Sequence, residues 1–351
     1  VSIALTAILL SLVHPIVVAM STPTDAVSGT ITYLTICFIG IPFITSYNII
    51  SSIFRGLGDS ESPMCFIATA CAANIALDYL FMGVLHLGPA GAALGTTLSQ
   101  AISVVVSLTV ILKRRSIVLK KSDFKPCRAV MGKILGIGIP IAFQDGLIQV
   151  AFIIITIIAN QRGLNDAAAV GIVEKVISFL FLVPSSMLST VSALGAQNIG
   201  AGKPERAIQT LRYAVMLAAG FGVLASIAIQ FTAEGIVSLF TDPSTADGAA
   251  VVRFGGQYLR GYIFDCIFAG IHFSFSGFFC ACRKSGLSFL HNILAIVLMR
   301  VPGVYVTSKL FPATLLPMGL ATAAGSLLSV VICLIAFGVI RRKSTLVLVE
   351  E

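Results

Sequence analysis

Four carboxylates lie inside long apolar segments of the chain, where an ionisable side chain is costly to bury and therefore indicates function. They are Asp78, Asp145, Glu174 and Asp265. A carboxylate in a low-dielectric environment binds protons, sodium ions or cationic organic molecules, and these cations compete for it. The chemistry that these residues predict is the competitive binding of cations. The candidates for the cation-coupling or substrate-binding site are Asp265, Asp145, Glu174, Gln144, Gln149, Asn74 and Asp78.

Three basic residues in the same segments are possible ion-pair partners, namely Arg300, Arg260 and Lys175. For Asp265 two interpretations are open: a coupling-ion site, or a structural ion pair with Arg260 or Arg300. The small residues Gly261 and Ala269, one helical turn away, are expected to leave space around it. Asp145 leaves the same two interpretations open, whereas a structural role is favoured for Asp78. We expect no resident metal, only a transient sodium ion at Asp265 or Asp145.

The elements that must position these residues are membrane-spanning helices. Of the 351 residues, 57% are hydrophobic and 11% are charged, and a helix of roughly 20 apolar residues crosses the bilayer core. Ten segments meet this criterion: 2–20, 30–54, 63–85, 90–112, 134–160, 167–193, 207–231, 251–279, 287–310 and 317–340. The fold class that we predict is an all-α integral membrane protein.

Basic residues alternate between the connections of these segments. One set holds nearly all of them, whereas the other set holds only Arg162 and Lys309. The positive-inside rule makes the rich set cytoplasmic and places both ends of the chain inside the cell. The anionic inner leaflet then explains the net charge of +8 without any nucleic-acid partner.

The two halves of the chain repeat. Residues 54–60 align with 279–285, and "PAGAALGTTLSQ" from Pro89 aligns with "PMGLATAAGSLL" from Pro317. Spans one to four therefore pair with spans seven to ten, and spans five and six have no partner. We interpret the chain as ten of twelve helices in two lobes, with about ninety residues expected upstream of Val1. The predicted parts are an N-terminal lobe (1–112, four of six helices), a cytoplasmic linker (113–133), a C-terminal lobe (134–343, six helices) and a cytoplasmic tail (344–351).

The stretch "FRGLGDSESPM" from Phe54 is predicted to be a cytoplasmic turn between two spans. Its structural residues are Arg55, Gly56, Gly58, Asp59 and Pro63. Both glycines permit a positive φ, Ser62 is a potential cap, and Pro63 suits a first helical position.

This turn resembles the signature of the multidrug and toxic compound extrusion (MATE) family, as do "NIALDYLFM" from Asn74 and "GAQNIGAGKPERA" from Gly195. The resemblance implies two lobes of six helices that alternately open to either side. It also implies an antiporter that exports cationic or amphipathic compounds in exchange for sodium ions or protons. Family members carry coupling acids on the first, seventh or tenth of their twelve helices. In that count, two helices precede the first span of this chain, so Asp145 (134–160) lies on the seventh helix and Asp265 (251–279) on the tenth.

The resemblance further implies a protein that is not an enzyme and has no cofactor. Its expected partners are a small-molecule substrate and the lipid bilayer, and we expect a monomer in the plasma membrane (the cell inner membrane). Two alternatives stay open. A lipid-linked oligosaccharide flippase of the same superfamily would need more arginines than Arg260 and Arg300 around its cavity, and an intramembrane enzyme would need a catalytic motif.

Overall fold

The computed structural model describes residues 2–19, 26–114 and 127–342, and the regular structure within these ranges is helical throughout. The described ranges contain fourteen α-helices, and π turns at Tyr79–Val84 and Ile296–Arg300 interrupt two of the spans. The α-helices are α1 (Ser2–Ser11), α2 (Val13–Ala19), α3 (Val27–Gly56), α4 (Glu61–Asp78), α5 (Gly88–Arg114), α6 (Arg128–Asn160), α7 (Leu164–Leu180), α8 (Leu182–Gly200), α9 (Pro204–Ser238), α10 (Ala246–Tyr262), α11 (Phe264–Ala281), α12 (Ser285–Ala295), α13 (Val301–Leu310) and α14 (Leu316–Arg342).

Nine helical segments in the described ranges are long and apolar enough to cross a membrane. This confirms the all-α membrane fold class. The remaining predicted span, residues 2–20, is instead two short helices, α1 and α2, which break at Leu12. Pro15 explains the break, because it has no amide hydrogen to donate to the carbonyl of Ser11, four residues earlier.

Other spans are also composed of consecutive short helices. The segment Leu164–Gly200 changes from α7 to α8 at Phe181, three residues before Pro184. Since Pro184 cannot donate to the carbonyl of Leu180, that carbonyl accepts the thiol of Cys266 instead, at 3.8 Å. The segment Ala246–Ala281 breaks at Ile263, between α10 and α11, without any proline.

The chain separates into two compact units, residues 1–125 and 126–351. Unit 1 contains α1 to α5 and unit 2 contains α6 to α14. Helix α6 begins at Arg128, so the last six residues of the predicted linker 113–133 are helical. Residues 115–126 of that linker and the predicted tail 344–351 lie outside the described residues. The assignment of lobes, linker and tail therefore stays a prediction.

Helix boundaries follow the internal repeat that the sequence indicates. Helices α5 and α14 both contain 27 residues and begin at positions 88 and 316, an offset of 228. Helix α3 ends at Gly56 and α11 ends at Ala281, an offset of 225. Both units therefore contain a related set of spans.

The turn at Arg55–Pro63 differs from its prediction in three details. Gly58 has a φ of 90°, but Gly56 is the last residue of α3 and is not among the positive-φ positions. The capping acceptor is Asp59 and not Ser62, because the Asp59 carboxylate accepts both the backbone amide of Ser62 (3.0 Å) and its hydroxyl (2.6 Å). Pro63 is the third residue of α4, where its missing amide hydrogen costs little.

Arg162 connects two loops of unit 2. Its guanidinium pairs with Asp166 at 2.7 Å and donates to the backbone carbonyls of Ser308 (2.6 Å) and Pro312 (2.9 Å). It thereby fastens the loop between α13 and α14 to the start of α7. In the sequence Arg162 indicates only the side of the membrane on which its loop lies, and nothing there predicts this structural role.

Helices α10 and α14 approach closely at two glycines. A Cβ atom on Gly261 would lie 2.5 Å from the carbonyl oxygen of Leu316, and one on Gly319 would lie 2.5 Å from that of Tyr258. The expectation that Gly261 leaves space around Asp265 is therefore wrong, since the backbone of α14 fills that space. Close contact between small residues is a common basis of helix association in membranes.

We therefore expect Gly319→Ala to destabilise unit 2 by about 1–3 kcal/mol, because backbone atoms of α10 cannot yield easily to the added methyl group. Gly338→Ala on the same helix is the matched control. A Cβ atom there meets nothing within 4 Å, so alanine should be neutral or stabilise the helix by up to about 1 kcal/mol. Thermal unfolding of the purified variants in detergent measures both effects. Equal melting temperatures for the two variants would show that the close approach of α10 and α14 does not contribute to stability.

Candidate functional site

Asp265 and Arg300 form a buried ion pair in unit 2. Asp265 is the second residue of α11, directly after the break at Ile263, and Arg300 ends the second π turn. The Arg300 Nη2 atom donates to Oδ2 of Asp265, whose side chain is fully buried. This is one of the two interpretations left open for Asp265. Helix breaks and π turns re-aim side chains and are frequent at functional sites.

Aromatic rings surround this pair. The Phe152 ring centre lies 5.7 Å from the guanidinium carbon of Arg300, within the range of a cation–π contact. Tyr258 and Tyr262 pack on each other with ring centres 5.5 Å apart, and both are buried. Within the described part of the chain their hydroxyl groups accept or donate no hydrogen bond that meets strict geometry. The ion pair of Asp265 and Arg300 therefore lies in an apolar environment, and the two tyrosine hydroxyl groups there are buried without hydrogen-bond partners among the described residues.

A small cavity adjoins Arg300. Its volume is about 60 Å³, which is room for a few water molecules. Its walls are mostly aromatic or aliphatic, and a few polar groups converge on it, an arrangement typical of small-ligand sites. Its lining residues include Phe152, Phe181, His272, Asn292, Arg300 and Ser326.

Two buried histidines lie beside this cavity. The His291 ring is hydrogen-bonded on both sides, to the hydroxyl groups of Ser276 (2.8 Å) and Ser329 (2.6 Å). The His272 ring centre lies 5.6 Å from that of His291. Its Nδ1 atom is buried and has no hydrogen-bond partner among the described residues.

The candidates on α6 do not join this cluster. Gln144 is buried, and its Oε1 atom accepts the hydroxyl of Ser288 at 2.7 Å, so its role is to connect α6 to α12. Asp145 and Gln149 are exposed. The structure therefore separates Asp145 from Asp265, although the sequence analysis treated both as possible sodium sites.

The other charged candidates of unit 2 also have separate environments. Glu174 is half-buried and accepts the hydroxyl of Thr156 at 3.3 Å, whereas Lys175 is exposed. Arg260 pairs with Glu234 at 3.1 Å. The interpretation of Arg260 as a partner of Asp265 is therefore wrong. The two residues lie on different helices, on either side of the break at Ile263.

Unit 1 holds a carboxylate of a different kind. Asp78 is the last residue of α4, directly before the first π turn. Its Oδ1 atom lies against Gly95 of α5, where a Cβ atom would be only 2.0 Å away. This oxygen is buried and has no hydrogen-bond partner among residues 2–19, 26–114 and 127–342, and the ion pairs found there do not include Asp78. Asp78 is thus a carboxylate without a fixed counter-charge.

A cavity of about 260 Å³ in unit 1 lies next to Asp78 along the chain. Asn74, one helical turn before Asp78, lines it together with Thr96, the neighbour of Gly95. Ser99, Gln100 and Tyr47 supply further oxygen atoms. The Nδ2 atom of Asn74 and the hydroxyl of Tyr47 are buried and make no hydrogen bond within the described ranges. Hydroxyl, amide and carboxylate oxygens are suitable ligands for hard cations.

Serial apolar spans, an internal sequence repeat and ionisable residues within the spans are typical of multi-pass membrane transport proteins built from repeats. The chain belongs to the MatE family, whose model matches residues 1–80 and 140–306.

Named relatives agree with this membership. The chain is 29% identical over 306 residues to the probable multidrug resistance protein YpnP of Bacillus subtilis (strain 168), covering 87% of this chain and 66% of that protein. It is 26% identical to the multidrug export protein MepA of Staphylococcus haemolyticus, covering 83% and 63%. The chain thus spans just under two thirds of the length of these curated relatives.

A solved structure of a MATE protein in complex with MaL6 has the same fold. It superposes with a TM-score of 0.89 at 20% identity, covering 97% of this chain and 76% of that chain. At this identity the likeness concerns the fold alone.

Proposed function

We propose that the chain belongs to a secondary active efflux transporter that exchanges cationic or amphipathic compounds for sodium ions or protons by alternating access. Membership of the MatE family and the names of the multidrug-export relatives support this class. The protein would work in the plasma membrane, as a monomer, with both ends of the present chain in the cytoplasm. It would need a coupling ion and no cofactor.

The single observation that carries the coupling proposal is the unpaired carboxylate of Asp78. Asp265 already has a cationic partner in Arg300, so an incoming cation must displace that guanidinium. Asp78 has no such competitor among the described residues. A membrane-embedded carboxylate without a counter-charge is costly unless a proton or metal ion neutralises it. Asp78 is therefore the better site for a coupling cation.

The neighbourhood of Asp78 supports this role. Discontinuous helices in transporters place helix ends and irregular backbone at their ion sites, and Asp78 lies where α4 changes to a π turn. Asn74 and Thr96 bring further oxygen atoms to the adjacent cavity. The carboxylate would hold the cation, and the neutral oxygens would complete its coordination or relay a proton.

Transport in proteoliposomes tests the function. The purified protein is reconstituted, ethidium serves as the cationic probe, and either a sodium gradient or a proton gradient is applied. We expect at least one gradient to drive ethidium against its concentration gradient, and dissipation of that gradient by an ionophore to stop it. Ethidium movement equal to that of protein-free liposomes under both gradients would refute the proposal.

A further inference from the structure

The cavity beside Arg300 presents hydrogen-bond donors that the described part of the protein leaves unused. The Nε atom of Arg300, which always carries a proton, is buried and has no partner among these residues. The buried Nδ1 atom of His272 also has none, and it is a donor in the tautomer that places the proton on Nδ1. A guanidinium has five N–H donors, and the ion pair with Asp265 engages Nη2. Both side chains line the cavity, together with Ser326.

Among the described residues, the carboxylates near this cavity are those of Asp265 and Glu174. Asp265 contacts Arg300, and Glu174 is tied to Thr156. The other titratable side chains near the pair are Tyr258, Tyr262, Cys266 and His291, none of which is a carboxylate. Phe152 and Phe181 form part of the wall. A cationic donor in such an apolar setting attracts an anion more strongly than it would in water.

We propose that this cavity binds a small monovalent anion, either chloride or the carboxylate of a short organic acid, held by Arg300 and His272. The anion competes with Asp265 for the guanidinium. Any change that neutralises Asp265 therefore strengthens anion binding, because Arg300 is left without its counter-charge. The cavity volume of about 60 Å³ limits the buried part of the ligand to a few heavy atoms. This anion site is separate from the proposed cation-coupled efflux, and its occupancy can be measured without a transport assay.

Thermal unfolding of the purified protein in detergent tests the site. Sodium acetate and sodium chloride are titrated separately, with sodium gluconate, whose anion is too large for the cavity, keeping the ionic strength constant. Acetamide is the neutral control for acetate because the two molecules have the same shape. Three proteins are compared: wild type, Asp265→Asn, and the double variant Asp265→Asn with Arg300→Gln, which has neither charge.

We expect chloride or acetate to raise the melting temperature of the wild type and of Asp265→Asn. The apparent affinity should be about tenfold tighter in Asp265→Asn, within the usual range of coupling between two sites. Acetamide should have no effect, and the double variant should respond to neither anion. Comparison of the chloride and acetate series tells which anion the cavity prefers, and a response to either one supports the proposal.

Three results would overturn the proposal: an anion response of the double variant equal to that of Asp265→Asn, an equal response to acetamide and acetate, or no tighter binding in Asp265→Asn.

If Asp265→Asn does not fold in gluconate, purification in acetate or chloride should recover it. Failure of that recovery while the double variant folds would equally contradict the site. If neither variant folds, the wild-type titration decides, because a response to an anion over acetamide supports the site and its absence refutes it.

Discussion

Asp265→Asn should lower the free energy of unfolding by about 3–5 kcal/mol, since it removes the counter-charge of a guanidinium held in an apolar environment. The Asp265 side chain is fully buried and that of Arg300 is only 11% exposed. An amide of the same size can still accept a hydrogen bond, but it cannot offset the positive charge. The expected destabilisation is measured by chemical or thermal unfolding in detergent with gluconate as the only anion.

Two further variants test whether the loss of stability comes from the unpaired buried charge. Glu234→Gln is the matched control, because it breaks the ion pair with Arg260 at a site where the two side chains are 52% and 33% exposed. Such exposed pairs contribute about 0–1 kcal/mol. Adding Arg300→Gln to Asp265→Asn should recover much of the lost stability, since no buried charge then remains unpaired. If Asp265→Asn costs no more than Glu234→Gln, the buried pair does not stabilise the fold.

Composition predicted the all-α membrane fold and the nine spans found in the described residues, because a bilayer requires long apolar helices and such segments are visible in the sequence. The sidedness that the charge alternation indicates stays a prediction. The break at Leu12 could have been anticipated from Pro15. The break at Ile263 could not, since no proline or unusual residue marks it. The break places Arg260 and Asp265 on different helices, and Asp265 pairs with Arg300. Because the break is not visible in the sequence, the sequence could not distinguish Arg260 from Arg300 as the partner.

Neighbouring polar residues were also indistinguishable in the sequence. Gln144 is buried and Asp145 is exposed, although both belong to the same apolar span. Successive residues of a helix point about 100° apart. A helix that is apolar on all sides gives no pattern from which to decide which residue faces the protein interior. Asp78 was assigned a structural role for a related reason: its lack of a partner is a property of the packed structure and not of the sequence.

Asp78→Asn should abolish ion-driven export while the protein stays folded. The amide keeps the volume of the side chain beside Gly95, but it lacks the negative charge that binds a proton or sodium ion. The buried Oδ1 atom makes no hydrogen bond within the described ranges, so the substitution should change stability by less than about 1 kcal/mol. This combination distinguishes Asp78 from Asp265, whose replacement acts first on stability.

Glu61→Gln is the matched control for Asp78→Asn. It removes a carboxylate from the same helix, at the exposed first residue of α4. We expect it to export at the wild-type rate. Loss of export in both variants would indicate a general effect of charge on expression or insertion, and would remove the argument for Asp78 as the coupling site.

The most direct test of the central claim is gradient-driven ethidium export by wild type and Asp78→Asn, reconstituted at equal protein density after their melting temperatures have been shown to agree. The account predicts that the wild type concentrates ethidium against its gradient, whereas Asp78→Asn reaches only the passive distribution of protein-free liposomes. Undiminished gradient-driven export by Asp78→Asn would contradict the assignment of coupling to this carboxylate.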